Sequence, residues 1–310
     1  MRKTSAVLAS LSLAAIALTG CSASANFAGA ACDRTSHANG IENAVTVTGE
    51  LGDAPDVTIY SPVENAESAY TDVIVGDGAP VVDDQQVMQL QMSIYSGSTG
   101  EQVFATTYES GSGSLSNIAN WAAESPGMAD VFECITGGSR VVASLTPEDF
   151  GAASASSVGL GADDRAIVVI DVLQTYLSKA EGSLQFNDAR GLPTVVRAPD
   201  GTPGVIIPDA DAPTELVQQT LIKGDGAKVD ETQALILNVT AVGWDDKKVQ
   251  NTSWGTTPIL DLQSTAPTVA EALLGETVGS QVLVVTPAAD GASATAYVVD
   301  ILGAVTTPGQ

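Results

Sequence analysis

Histidine is almost missing from this chain: His37 is the only one among 310 residues. Cysteines number 3, aromatic residues make up 5%, and 12 basic side chains face 37 acidic ones for a net charge of −25. Each scarcity excludes something. A catalytic triad or an imidazole general base would have to rest on His37 alone. Histidine-rich metal centres and multi-cysteine zinc clusters are ruled out, and no metal or other cofactor is expected. So few cations cannot neutralise phosphates, which excludes nucleic-acid binding, and the same charge disfavours docking on an anionic bilayer through side chains. Beyond the first twenty residues no apolar run is long enough to span a membrane.

What is present starts with export. Met1-Arg2-Lys3 gives a cationic start and an apolar run from Ala6 to Leu18 follows, the layout of a secretory signal. It ends Leu18-Thr19-Gly20-Cys21, which resembles the bacterial lipobox. The resemblance implies cleavage before Cys21 and diacylation of that cysteine, so residues 1–21 read as a lipoprotein signal peptide. Two acyl chains suffice for stable anchoring, and the chain is expected outside the cytoplasm, held to the cell membrane through lipid alone. Cys32 and Cys134 remain, and an even pair in an oxidising compartment predicts a disulfide. Residues 22–55 are rich in Ala, Ser, Asn and Gly and read as a flexible tether that includes a solvated His37. The acidic pairs Asp83-Asp84, Asp163-Asp164 and Asp245-Asp246 read as solvated turns, since adjacent side chains point apart and no calcium loop is present.

The body is 44% hydrophobic and 16% charged, enough to bury a core, and it repeats itself. Gly76-Asp77-Gly78-Ala79 recurs as Gly224-Asp225-Gly226-Ala227, Gly138-Ser139-Arg140-Val141 as Gly279-Ser280-Gln281-Val282, and Thr146-Pro147 as Thr286-Pro287. Val168-Val169-Ile170-Asp171 answers Val298-Val299-Asp300. Order is kept while spacing shrinks, so two copies of one fold are expected at 56–178 and 206–305, joined by a linker over 179–205. Each copy reads as strands around one short helix. The strands are Val87–Tyr95, Arg140–Leu145 and Ala166–Leu173 in the first, and Ala234–Val242, Gln281–Val285 and Ala296–Leu302 in the second. The helices open at Pro126 and Pro267, bury Met128, Val131, Phe132 and Ile135 on one face of the first, and end at Gly138 and Gly279.

Taken together, the GDG turn, a strand ending Tyr95-Ser96-Gly97, the Pro126-Gly127 helix, Gly-Ser-Arg-Val, Thr146-Pro147-Glu148-Asp149-Phe150-Gly151 and the closing Val-Val-Ile-Asp-Val strand resemble the FKBP-type peptidyl-prolyl cis-trans isomerases. The resemblance implies an α+β fold: tandem FKBP-like domains, each a half-wrapped antiparallel β-sheet around one short α-helix. It also implies an apolar proline pocket in the first copy, with Tyr95 as a wall, Phe150 as the loop aromatic, Met128 in place of the floor tryptophan, Ile170 on the last strand, and Val103-Phe104 where Phe-Asp is expected. The second copy is degenerate: Ala241 or Val242 stands for the tyrosine, Val269 for the tryptophan, and the loop after Pro287 is cut to Ala288-Ala289-Asp290-Gly291.

The chemistry needs no nucleophile, metal or proton relay. Rotation about a prolyl bond breaks amide resonance over a barrier of about 18–20 kcal/mol, and a dry apolar cleft with a donor for the carbonyl favours the twisted amide. Two functions stay open. One is an isomerase or folding helper acting on proline-containing exported polypeptides through the first copy. The other is a non-catalytic scaffold that binds unfolded chains or an envelope partner.

Overall fold

The computed structural model describes residues 32, 34, 36–109, 111–186, 190–289 and 292–306; the signal segment and Cys21 lie outside them. Unit 1 runs α1 (Ile41–Ala44), β1 (Val45–Thr48), β2 (Asp56–Ile59), β3 (Ala69–Ile74), β4 (Met88–Ser96), β5 (Gln102–Ala105), β6 (Ser114–Ser116), α2 (Ile118–Glu124), α3 (Pro126–Phe132), β7 (Ser139–Leu145), α4 (Pro147–Phe150), α5 (Ala152–Val158) and β8 (Ala166–Thr175). After β9 (Ser183–Leu184), unit 2 runs β10 (Thr194–Arg197), β11 (Pro203–Ile206), β12 (Val217–Lys223), β13 (Gln233–Gly243), β14 (Val249–Thr252), α6 (Leu262–Thr265), α7 (Pro267–Ala272), β15 (Gln281–Thr286) and β16 (Thr295–Thr306). It is a mixed fold of antiparallel sheets with few, short helices.

The two main sheets share one strand order, β3-β7-β8-β4-β5 in unit 1 and β12-β15-β16-β13-β14 in unit 2. Their irregularities coincide as well. The ladder shifts between Gln89 and Leu90 where β4 meets β8, and between Ile236 and Leu237 where β13 meets β16. The GDGA turns are seated alike. Gly76 N–H donates to Ser139 Oγ at 2.9 Å and Thr136 Oγ1 donates to the Gly76 carbonyl at 2.8 Å; Gly224 N–H does so to Ser280 at 3.0 Å and Thr277 to Gly224 at 2.6 Å. A Cβ on Gly76 or Gly224 would overlap the carbonyl oxygen of Gly137 or Val278, so glycine is required at both by close backbone approach.

Strand β8 reads Ala-Ile-Val-Val-Ile-Asp-Val, with both faces buried. A half-solvated strand would alternate; a continuous β-branched run belongs to a strand covered on both sides. One cover is α3, which buries Met128, Val131 and Phe132 against Leu90, Val141 and Ile170. The other is the β1–β2 hairpin, which packs with Ile41 and Val63 over Tyr95, Val142, Ile167 and Val169. Unit 2 repeats this with α7 inside and a second hairpin, β10–β11, near Trp244, Leu283 and Val298 outside.

Those hairpins correct the expected boundaries. The segment 22–55, read as tether, contains α1, β1 and the fully buried Ile41. The segment 179–205, read as linker, contains β9 and β10 and leads into β11. Small polar residues dominate both stretches and mask Val45-Thr-Val-Thr and Thr194-Val-Val-Arg, which become strands because a sheet face lies beneath them. Gly138 and Gly279 are not helix caps either. They hold φ of 87° and 91° in the turns before β7 and β15, and their N–H groups bond the carbonyls of Val172 and Ile301.

The N-terminal strap closes onto unit 1. Cys32 and Cys134 are disulfide-bonded with Cα atoms 5.4 Å apart. Arg34 pairs with Asp72 at 2.8 Å and lies 4.9 Å from the Tyr70 ring centroid. His37 is exposed, bridges Tyr70 through its backbone and meets that ring edge-on.

Candidate functional site

The helix–sheet seam of unit 1 is where the predicted pocket residues should meet, and three do. Met128, Phe150 and Ile170 fall in one cluster with Met92, Ile94 and Phe132, while Val103, Trp121 and Val158 pack on its margin. Pro126 starts α3 and aims Met128 inward. The Thr146 side chain caps α4 by accepting from Asp149 N–H, and the Asp149 carboxylate accepts from the Thr146 and Ser68 hydroxyls. The buried Ser125 hydroxyl then donates to the Phe150 carbonyl at 2.7 Å. Gly151 follows with φ of 86°, and a Cβ there would strike the Glu124 carbonyl. Phe150 is thus locked in place by polar bonds on both sides.

The other two residues do not join. Tyr95 belongs to the opposite face of β4, packed under the β1–β2 hairpin with Val142 and Ile167. Strand alternation explains it: Met92 and Ile94 face α3, so the next residue faces away. The inward place expected for Tyr95 is held by Ile94. Phe104, on the edge strand β5, is 40% exposed and outside the cluster. The phenol hydroxyl that Tyr95 would have brought to the seam is therefore absent from it.

The seam is tightly filled. Met128, Phe150 and Ile170 are 1%, 4% and 0% exposed. Trp121, half-buried on α2, stacks at a tilt on Phe132 with ring centroids 5.9 Å apart, and its indole N–H is buried without an acceptor. Sequence reasoning missed Trp121, because it precedes the Pro126 helix in a polar stretch with no periodic signal. Unit 2 has Val269 and Val299 in the matching core, and Ala241 where unit 1 has Ile94. Among the described residues no cluster of histidine, cysteine or carboxylate side chains is arranged to hold a metal.

The opposite face carries the charge, and here the units differ. Arg140 and Asp171 are fully buried, joined by Arg140 Nε to Oδ1 at 2.5 Å and Nη2 to Oδ2 at 2.7 Å. Arg140 also donates to the carbonyls of Thr48, Gly49, Glu50 and Asp53, and Asp171 accepts from Gly52 N–H. The hydrogen bonds that Arg140 donates to the Asp171 carboxylate raise the guanidinium pKa further. Nearby, burial pushes the Tyr108 phenol up to about 12. In unit 2 the matching pair is Gln281 and Asp300: Gln281 Nε2 donates to Asp300 at 2.7 Å, Ala180 N–H donates to its other oxygen at 2.8 Å, and Arg197 reaches the pair only through Gln281, its Nε donating to Gln281 Oε1 at 2.7 Å. Burial raises the Asp300 pKa to about 6.

No family model and no curated protein matches this chain. Among solved structures, it is similar to the three FKBP domains of wheat FKBP73 with a TM-score of 0.33 and 12% identity, over 80% of this chain and 99% of that one. The N-terminal domain of FKBP42 from Arabidopsis thaliana gives 0.32 and 13%, over 41% and 98%. A peptidyl-prolyl cis-trans isomerase from Pseudomonas syringae pv. tomato gives 0.29 and 12%, over 44% and 84%. Superpositions this loose carry no weight beside the residues themselves.

Proposed function

We propose that the chain is a lipid-anchored folding helper for exported polypeptides, made of two FKBP-like domains, with its prolyl-isomerase activity confined to unit 1 and slow. The observation that carries this reading is the doubled arrangement itself: the same GDGA turn on the same Thr-x-x-Ser seat, the same strand order, and a proline-led helix under each sheet. In unit 1 the shared packing of Met128, Phe150 and Ile170 supports reading that part of the frame as the apolar seat that the family motifs imply. A dry seat favours the less polar, twisted amide over the planar one. The activity is slow because the seat is packed shut and the Tyr95 hydroxyl faces elsewhere. Unit 2 offers Ala241 and Val269 and no loop aromatic, and supports structure or binding.

The burial of Met128 and Phe150 favours a second reading, a scaffold that binds chains without catalysis. A proline-isomerisation assay on a tetrapeptide separates the two. Catalysis predicts a rate above the uncatalysed one that Phe150→Leu lowers at least several-fold while circular dichroism stays unchanged. A rate equal to the uncatalysed one hands the protein to the scaffold reading. Anchoring is tested separately: Cys21→Ser should abolish palmitate labelling and release the chain from membranes, and a labelled, membrane-bound variant would end that part of the proposal.

A further inference from the structure

Unit 2 has a groove that unit 1 fills. In unit 1, β6 adds antiparallel to the start of β4, with Ser116, Leu115 and Ser114 opposite Met88, Gln89 and Leu90. The following α2 then seals that end, with Ala119 N–H donating to the Asp84 carbonyl at 2.9 Å. In unit 2, Leu237 holds the place of Leu90, each lying just beyond its ladder shift. Leu237 exchanges both backbone hydrogen bonds with Ile259, at 3.0 and 2.8 Å. There the added strand stops. The chain turns away at Asp261, which caps α6, a helix of 4 residues against the 7 of α2.

The consequence is an open edge above a cavity of about 820 Å³. By the alternation of an antiparallel ladder, the Leu235 N–H and carbonyl point the same way as those of Leu237, toward the cavity, and no strand among the described residues pairs with them there. The floor is apolar, formed by Leu235, Leu262, Leu260 and Leu274, the last two 42% and 46% exposed. The rim is Asp230, Glu231, Asp261 and Glu271, with no lysine or arginine lining it. Hydrogen bonds from Thr232 and Ser264 hold Asp230 and Asp261 below the usual carboxylate range, so both stay charged near neutrality.

We propose that this groove binds an extended polypeptide segment carrying alternating apolar and basic side chains, which adds antiparallel to β13 at Leu235 where β6 adds to β4. Three observations specify the occupant. The open backbone groups ask for a strand, because main-chain pairing supplies affinity in strand addition. The leucine floor takes side chains from one face of that strand, which repeat every second residue. The carboxylate rim selects cationic residues on it. Unit 1 shows that this sheet position accepts such a strand. The site is separate from the isomerase seat and stands or falls without it.

The test uses the whole chain and a fluorescein-labelled decapeptide of alternating valine and lysine, read by anisotropy. The expected result is saturable binding at least tenfold tighter than that of a valine–glutamate decapeptide. Binding should fall at least tenfold in the double variant Leu260→Asp/Leu274→Asp, and also when alternate peptide nitrogens are methylated. The variant positions are exposed enough to keep the fold, which an unchanged melting temperature checks. Added aspartates would strengthen any unspecific attraction of lysine, so a loss of affinity reports the groove itself. No binding, undiminished binding by the double variant, or equal binding of the methylated peptide overturns the proposal. So does a dimer in sedimentation velocity that the double variant abolishes, which would make a second copy of the chain the occupant.

Discussion

Units 1 and 2 solve one packing problem with different chemistry. Each sheet has a buried carboxylate in the middle of its last long strand, Asp171 or Asp300. Unit 1 answers with a full ion pair, Arg140 on Asp171, and turns the remaining guanidinium hydrogens onto four backbone carbonyls. Unit 2 answers with an amide and sets its arginine one position away, so Asp300 keeps its oxygens bonded but lacks a direct cation. The difference teaches that the repeat conserves geometry more strictly than charge. A buried carboxylate is tolerated with neutral donors, and the cost appears as a raised pKa.

Replacing Arg140 with glutamine tests this most severely, since it gives unit 1 the amide of unit 2 without the supporting Arg197. Asp171 would be left uncompensated, and unit 1 should lose about 3–5 kcal/mol. Hydrogen exchange should speed up in β7 and β8 while β15 and β16 hold; equal loss in both units would show them to be one cooperative block.

Reducing Cys32–Cys134 removes a staple that unit 2 lacks. The cysteines are 102 residues apart, and the chain-entropy model assigns such a loop about 5 kcal/mol. Thiol titration of the denatured, unreduced protein should find neither cysteine free, and reduction should lower the melting temperature through unit 1. Two reactive thiols at Cys32 and Cys134 would refute the bridge.

The Asp300 carboxyl gives the comparison a pH axis. In the folded protein it titrates at about 6, against 3.8 when unperturbed. Between those values the folded state holds the extra proton, so unit 2 loses stability as pH rises, by about 3 kcal/mol in all once pH passes 6. Paired carboxylates such as Glu276, depressed by hydrogen bonds from Lys223 and Thr220 against the opposing effect of burial, act in the opposite sense. The informative quantity is therefore the difference between the native chain and Asp300→Asn in denaturant unfolding at pH 4.5 and pH 7. That difference should favour the native chain at the lower pH and shift toward the variant at the higher. A pH-independent difference would place Asp300 outside the titration.

The smallest effect should be equal in both halves. Thr136→Val and Thr277→Val each remove the hydroxyl that bonds the GDGA turn, and each should cost about 1 kcal/mol. Unequal losses would mean that the two turns, alike in geometry, are not alike in energy.

Much of this was legible in the sequence, because close backbone approach demands particular residues. The recurrence of Gly-Asp-Gly-Ala and Gly-Ser led to two matching turns, and the β-branched runs led to the central strands within a residue or two, except at the end of β16, which runs on to Thr306. What was missed depends on facing. Tyr95 and Ile94 are adjacent, and a motif match cannot tell which of two neighbours points inward; the partner ladder decides it. The outer hairpins were hidden for a related reason, since Val45–Thr48 and Thr194–Arg197 are strands only against a face formed elsewhere. Trp121 and the stunted α6 lie in stretches of differing length, where the repeat offers no register.

The junction between the units has a consequence for anything that touches both. Tyr176 N–H bonds the Val87 carbonyl and Leu177 N–H bonds that of Leu302, while the Tyr176 ring lies where a Cβ on Gly303 would be and packs with Val87, Ile236 and Leu302. The crossing from one sheet to the other is hydrogen-bonded and packed on both sides. On the two proposals above, a polypeptide reaching from the seat of unit 1 to the edge of unit 2 would meet a narrow range of spacings. Flexibly joined domains spread their effective concentration over many separations; on the proposed function, a junction bonded on both sides would narrow that range and favour clients of matching length.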